Sequence, residues 1–292
     1  MKILITGGSG LVGKKLSFRL NELGHEVCIL TRKKRGLNSV QEYLWTDSFI
    51  EAGALDNVDA VVHLAGESIA GGRWTKRRKK KIIESRTETL RLIAENIPSC
   101  PVLIGASGTG FYGGDRGEET LTEESSLGEG FLAQCCELWE NEEVAFAEKH
   151  GSRLVIIRTG LVLSENGGAL PKMAAPFKYG LGSNLGSGEQ WVSWIHADDL
   201  VNLYITALTD SSVSGIINGV SNSPIRHTAF NKVLAKVLNK SIFLPAIPKF
   251  LVKAALGEMS VLLLGSVKAV SNRNLEMKFP TLDLALNDIY KG

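Results

Sequence analysis

Over its first two-thirds the chain alternates compact apolar runs with stretches of helical periodicity. The runs Lys2–Thr6, Glu26–Thr31, Ala60–Leu64, Val102–Ala106, Arg153–Arg158 and Gly215–Gly219 have the low polarity expected of strands covered on both faces. Between the first two, Leu16, Leu20 and Leu23 fall on one helical face, and Gly24 stands where a C-cap would end the helix. Further helices are predicted over 76–96 and 132–150. Another starts near Asp198, whose carboxylate is placed to cap the next turn. Strands alternating with helices predict the α/β class, as a Rossmann-type doubly wound parallel sheet. The segments 165–195 and 221–292 break the alternation and are richer in Gly, Pro, Asn and aromatics. They are assigned to a smaller mixed C-terminal lobe on the substrate side, with 1–164 and 196–220 forming the sheet domain.

The first strand runs straight into Gly7-Gly8-Ser9-Gly10-Leu11-Val12-Gly13 and then into the first helix. The early glycines permit a tight turn in which backbone N–H groups approach a pyrophosphate. Gly13 lets the helix pack against the strand, and the helix N-terminus adds partial positive charge. The alternative is a glycine-rich turn with no ligand, but the strand–turn–helix context favours a dinucleotide. The second strand ends Leu30-Thr31-Arg32-Lys33-Lys34-Arg35 with no carboxylate. An acidic residue there would hold the 2′-hydroxyl of NAD and repel a 2′-phosphate, whereas Arg32 can pair with the phosphate in a fork. The cofactor read from these residues is NADP(H), with Lys34 and Arg35 as a solvated charge run. This makes the sheet domain the NADP-binding one.

Other positions add to this picture. The third strand ends His63-Leu64-Ala65-Gly66, small enough for backbone to run beside a ribose. Arg86 falls about 40° into the apolar stripe of its helix, so it needs an anionic partner: a phosphate, or an internal salt bridge. From Arg73 to Lys81 the chain carries a dense basic run. It reads as a solvated helix start, so no nucleic acid is expected, and the net charge of +2 implies no global attraction to polyanions or membranes. Cys28, Cys100, Cys135 and Cys136 have no metal spacing and read as reduced thiols in a cytoplasmic protein. The scattered histidines predict no metal site. The apolar stretch from Phe250 to Val267, broken by Lys253, Gly257 and Glu258, is expected to be a buried helix pair, too interrupted for a membrane span.

Gly7–Gly13, His63–Gly66 and Phe111-Tyr112-Gly113 resemble the extended short-chain dehydrogenase/reductase superfamily of nucleotide-sugar epimerases. Asp115-Arg116-Gly117, Trp139-Glu140, Arg158-Thr159-Gly160, Gly186-Ser187-Gly188, Trp194-Ile195-His196 and the tail 262–286 narrow the resemblance to short-chain dehydrogenase/reductase family 39U. The resemblance spans essentially the whole chain. It implies cofactor contacts at Thr31, Arg32, Leu64, Ala65, Arg86, Gly160 and Leu161, a C-terminal domain of unknown role, and by analogy a homodimer.

The departure from the superfamily is chemical. Its active members use a Tyr-x-x-x-Lys pair, with a Ser or Thr at the preceding strand end, to move a proton as hydride moves. None of the five tyrosines here has lysine four residues on. Phe131 or Leu132 stands at the tyrosine position, Cys135 or Cys136 at the lysine, and Gly108 at the serine. Ser107 and Tyr112 are the remaining catalytic candidates; Ser107 is also placed to touch the substrate or the cofactor's carboxamide, and Tyr112 is equally readable as a packed strand-end residue. His196 and Trp194 are candidates for substrate contact, with a structural histidine as the alternative. The function expected is an NADP(H)-dependent, epimerase-like oxidoreductase acting on a small polar carbonyl or hydroxyl compound. The alternative is a non-catalytic NADP(H)-binding sensor or interaction protein.

Overall fold

The computed structural model describes residues 1–36 and 40–291. The chain opens with β1 (Lys2–Thr6), α1 (Leu11–Glu22), β2 (Glu26–Thr31), β3 (Gln41–Thr46), β4 (Phe49–Ile50), β5 (Ala60–His63) and α2 (Lys76–Asn96). It continues through β6 (Val102–Gly108), β7 (Asp115–Leu121), α3 (Phe131–His150), β8 (Arg153–Thr159), β9 (Leu161–Leu163) and α4 (Leu170–Lys178). Next come β10 (Trp191–Val192), β11 (Trp194–His196), α5 (Ala197–Thr209), β12 (Gly215–Gly219), β13 (Ile225–Arg226) and α6 (His227–Val237). The path ends with α7 (Lys249–Leu256), α8 (Val261–Leu264), β14 (Ser266–Ala269) and α9 (Leu282–Lys291).

The large sheet has the order β12-β8-β6-β5-β1-β2-β3-β4, parallel throughout except for β4. Ile3 and Ile5 face α1 and α5, packing with Leu16, Leu20, Leu200 and Tyr204. Leu4 faces the other way, among Leu90, Ile93 and Phe146 of α2 and α3. This two-sided burial is why the strands read as continuous apolar runs. From β1 the chain builds outward to β2 on one side and returns to β5 on the other. The resulting crevice at the strands' C-terminal ends is where open α/β sheets take ligands. A second core joins α4, β11, α6 and α9 through Leu170, Phe177, Trp194, Phe230, Leu234 and Leu286.

Several expectations are corrected. Leu23 is 53% exposed, because α1 stops at Glu22 and Leu23 is already its cap. Gly24 does close the helix: at φ +81° its N–H reaches Asn21 O, and His25 N–H reaches Leu20 O, both at 3.0 Å, a Schellman pattern. The α5 cap is His196, whose Nδ1 accepts from Asp198 N–H at 3.2 Å; the Asp198 carboxylate pairs with Lys15 instead. The strand β3 carries no apolar run, because only Tyr43 in it is buried. The stretch 250–267 is not a buried helix pair: α7 buries only Val252 and α8 buries nothing. Among the described residues no helix is long and apolar enough to cross a membrane.

Candidate functional site

The glycine turn leaves β1 at the switch point. Gly7 has φ +69°, and a Cβ on it would lie 2.5 Å from Leu64 O at the end of β5. A Cβ on Gly13 would lie 2.4 Å from Gly7 O. Glycine is therefore imposed by backbone angle at Gly7 and by close approach at both positions. Gly10 caps α1 without a side-chain hydrogen bond, and the first turn holds no acid. The N–H groups of this turn, with the partial positive charge of the helix end, face a cavity of about 240 Å³ lined in part by Leu11, Val12, Leu64, Ala106 and Thr159. The donors of the first helical turn, left without side-chain caps beside this cavity, suit a phosphate group.

At the end of β2, Thr31 Oγ1 donates to Lys33 O at 2.9 Å and closes the turn that carries Arg32. Lys34 pairs with Glu51 at 2.7 Å. Arg32 is exposed and makes no hydrogen bond or salt bridge among the described residues; its field reaches Glu67. Behind the β5 end, His63 is fully buried. Its Nδ1 lies 2.9 Å from Thr6 Oγ1 and its Nε2 2.7 Å from Arg86 O. A carbonyl can only accept, so Nε2 carries the proton and Nδ1 accepts from Thr6. Burial pushes this imidazole down to about 4. Thr6 Oγ1 also accepts from Ala65 N–H at 3.1 Å, fixing the backbone beside the cavity. Arg86 Nη1 donates to Ile82 O and Glu67 O at 2.7 and 3.2 Å, and the guanidinium lies 4.8 Å from the Trp139 ring centre. Among the described residues it forms no salt bridge. A Cβ on Gly66 would come within 3.0 Å of it.

A second polar constellation lies under the ends of β6 and β8. Ser107 donates to Glu140 Oε1 at 2.6 Å. Arg158 grips the same carboxylate through Nε and Nη2 at 2.8 and 2.7 Å, and its guanidinium sits 3.3 Å from the Phe111 ring centre. Its Nη1 reaches Tyr112 Oη at 3.2 Å, and Tyr112 in turn donates to Asn218 Oδ1 at 2.7 Å. Burial raises the Tyr112 phenol above its ordinary value. Asn218 N–H donates to Glu123 Oε1 at 2.9 Å, and Glu123 also accepts from Ser271 and Asn272. Burial works against the Glu123 carboxylate, yet these donors hold it below the usual range. The network thus ties the sheet to the residues following β14.

Residues 3–218 match the model of the NAD dependent epimerase/dehydratase family, and 247–289 match a domain of unknown function, DUF1731. The chain belongs to the NAD dependent epimerase/dehydratase family. Within this epimerase family it is 36% identical to the epimerase family protein YfhF of Bacillus subtilis, over 96% of this chain and 93% of that one. It is 35% identical to the chloroplastic SDR39U1 homologue of Arabidopsis thaliana, over 96% and 82%. Human SDR39U1, solved with NADPH, superimposes with a TM-score of 0.88 at 31% identity, covering both chains completely. These matches establish the Rossmann-like fold and the resemblance to family 39U.

As an epimerase-family member the chain departs from several site expectations. Gly7, Gly10, Leu11, Val12 and Gly13 line the cavity together with Leu64. Gly160 and Leu161 enter it less directly: their N–H groups donate to Gly219 O and Ser193 O, and Thr159 is the residue that lines the cavity. Tyr112 is completely buried with its hydroxyl committed on both sides, so it is a packed strand-end residue and no proton donor to a ligand. Trp194 is likewise fully buried and donates to Ser223 O. His196, 3% exposed, caps α5 and stacks on Phe279, and burial holds its imidazole below the ordinary value. Both side chains are committed to internal packing and hydrogen bonds. The basic run is largely paired: Arg78 with Glu67, Lys79 with Glu258, and Arg73 with the carbonyls of Ala254 and Ala255. Glu140, Arg158, Glu123 and Asn218 were not assigned roles from sequence. An arginine ending the apolar run Leu154–Ile157 was the available signal, since a buried cation requires a partner.

Proposed function

We propose that this chain is an NADP(H)-dependent oxidoreductase acting on a small polar carbonyl or hydroxyl compound, with its substrate side formed by the lobe of 165–195 and 221–292. The observation that carries the cofactor choice is Arg32, an exposed cation without a hydrogen-bond partner among the described residues, at a strand end that lacks a carboxylate. The glycine turn takes the pyrophosphate, Arg32 the 2′-phosphate, and Leu64, Ala65, Gly66 and Thr159 border the remainder; Arg86 lends positive charge behind them. The nicotinamide, when bound, accepts or delivers the hydride. Ser107 Oγ, oriented by its donation to Glu140 Oε1, accepts the hydrogen bond of the substrate hydroxyl. Tyr112 holds Arg158 and Asn218 and takes no proton. Fluorescence titration tests the cofactor assignment: Arg32→Ala weakens NADPH about ten- to hundred-fold, the range of charge-assisted phosphate contacts, and leaves NADH unchanged. Equal losses for both cofactors would overturn it.

The second reading, a non-catalytic NADP(H) binder, draws on the apolar and thiol residues at the Tyr/Lys positions and on the committed hydroxyl of Tyr112. Turnover separates the two. NADPH oxidation with any member of a carbonyl panel, lost in Ser107→Ala at retained NADPH affinity, supports the enzyme. Tight binding with no turnover across the panel supports the sensor.

A further inference from the structure

Nine consecutive residues, Phe243 to Leu251, are exposed, and five of them are large and apolar: Phe243, Leu244, Ile247, Phe250 and Leu251. Phe243 and Phe250 keep 72% and 68% of their surface in water. On α7 the helical repeat sets Phe250, Leu251 and Ala254 opposite the buried Val252, with Lys249 and Lys253 along one edge. Arg73 holds the last turn of this helix to the sheet domain through Ala254 O and Ala255 O. Soluble monomers rarely leave contiguous apolar surface of this kind in water.

The charge carried by the segment itself has one sign. From His227 to Gly257 the chain contains Lys232, Lys236, Lys240, Lys249 and Lys253 and no Asp or Glu. Only Lys236 meets a carboxylate among the described residues, Asp283 at 3.8 Å. The next acid, Glu258, is paired with Lys79. A groove of about 660 Å³ bordered by Lys232, Lys236, Lys240 and Phe243 continues the basic surface. The net charge of +2 conceals this local excess.

We propose that this face docks on an anionic lipid surface. Phe243, Phe250 and Leu251 enter the boundary between headgroups and acyl chains, and the lysines meet the phosphates. A second copy fits poorly, because two-fold pairing of the patch would set lysines against lysines. Aromatic tips that stand out from the surface, flanked by lysines, suit a soft anionic interface.

Flotation of the full chain with phosphatidylcholine vesicles, with and without phosphatidylglycerol, tests this. The expected result is comigration with the anionic vesicles alone, weakening as salt rises. Lys249→Gln with Lys253→Gln lowers partitioning about thirty-fold, the effect of two lysine charges near a membrane. Phe250→Ser with Leu251→Ser abolishes it at unchanged melting temperature and NADPH affinity. Equal binding to neutral and anionic vesicles overturns the proposal. So does absence of vesicle binding, whether or not the chain is retained on polyglutamate or forms a dimer that the serine variants dissociate.

Discussion

Removing the Glu140 carboxylate is expected to destabilise the chain through the charge it leaves behind. Arg158 is 2% exposed and Glu140 6%, and two hydrogen bonds at 2.8 and 2.7 Å join them. Breaking a buried pair from one side costs about 3–5 kcal/mol, because the surviving ion is neither hydrated nor paired. Arg158 would keep its contact with the Phe111 ring and the Tyr112 hydroxyl, which offset about 1 kcal/mol. The expected net loss for Glu140→Ala is therefore about 2–4 kcal/mol. At about 2–4 °C per kcal/mol for a chain of this size, the melting temperature falls by about 4–16 °C. Urea unfolding followed by circular dichroism measures the free energy, and a thermal melt checks it. The double variant Glu140→Leu with Arg158→Met removes both charges and should recover most of the loss, since apolar replacement of a whole buried pair is often neutral. A loss under about 0.5 kcal/mol for Glu140→Ala, within the range of ordinary surface substitutions, would refute the reasoning. So would a double variant as unstable as the sum of the two singles.

Two buried groups pull the pH profile of stability in opposite directions. His63 falls from 6.5 to about 4 on folding, so the unfolded chain binds its proton first and about 3 kcal/mol is lost as pH drops from 6.5 to 4. Glu143, completely buried over Gly105, is raised well above its ordinary value by burial and then by Glu140. It costs stability as pH rises above 4.5, and Glu143→Gln should gain on the wild type progressively over that range in melts at stepped pH; parallel profiles would contradict this. Gly13→Ala puts a Cβ 2.4 Å from Gly7 O and forces the turn open. NADPH affinity should fall at least about ten-fold with about 1–3 kcal/mol of stability, and unaltered titration and melting would count against the close-approach argument. Tyr112→Phe leaves Asn218 Oδ1 without a donor and should cost about 1–3 kcal/mol, with NADPH affinity unchanged; a selective loss of affinity would restore Tyr112 to the site.

What could be read from sequence was local or periodic. The turn from Gly7 to Gly13, the Schellman glycine at Gly24 and the doubly apolar strands each carry their signal within a few residues, because backbone angle and two-sided burial constrain those residues directly. Arg32 was legible for the same reason: it directly follows a strand whose end faces the crevice. Ser107 and Tyr112 mark the limit. Their place near the strand end followed from the motif, but whether their hydroxyls were free depended on Glu140, Arg158 and Asn218, which lie tens of residues away along the chain.

The sequence by itself thus determined the α/β alternation and the glycine turn between β1 and α1. Only the tertiary structure decided that Tyr112, Trp194 and His196 are sealed inside, that the basic run clasps α7, and that 243–251 faces water. The physical reason is that burial and pairing are non-local. An apolar run says that a segment prefers to be covered, and only the packed chain shows whether anything covers it.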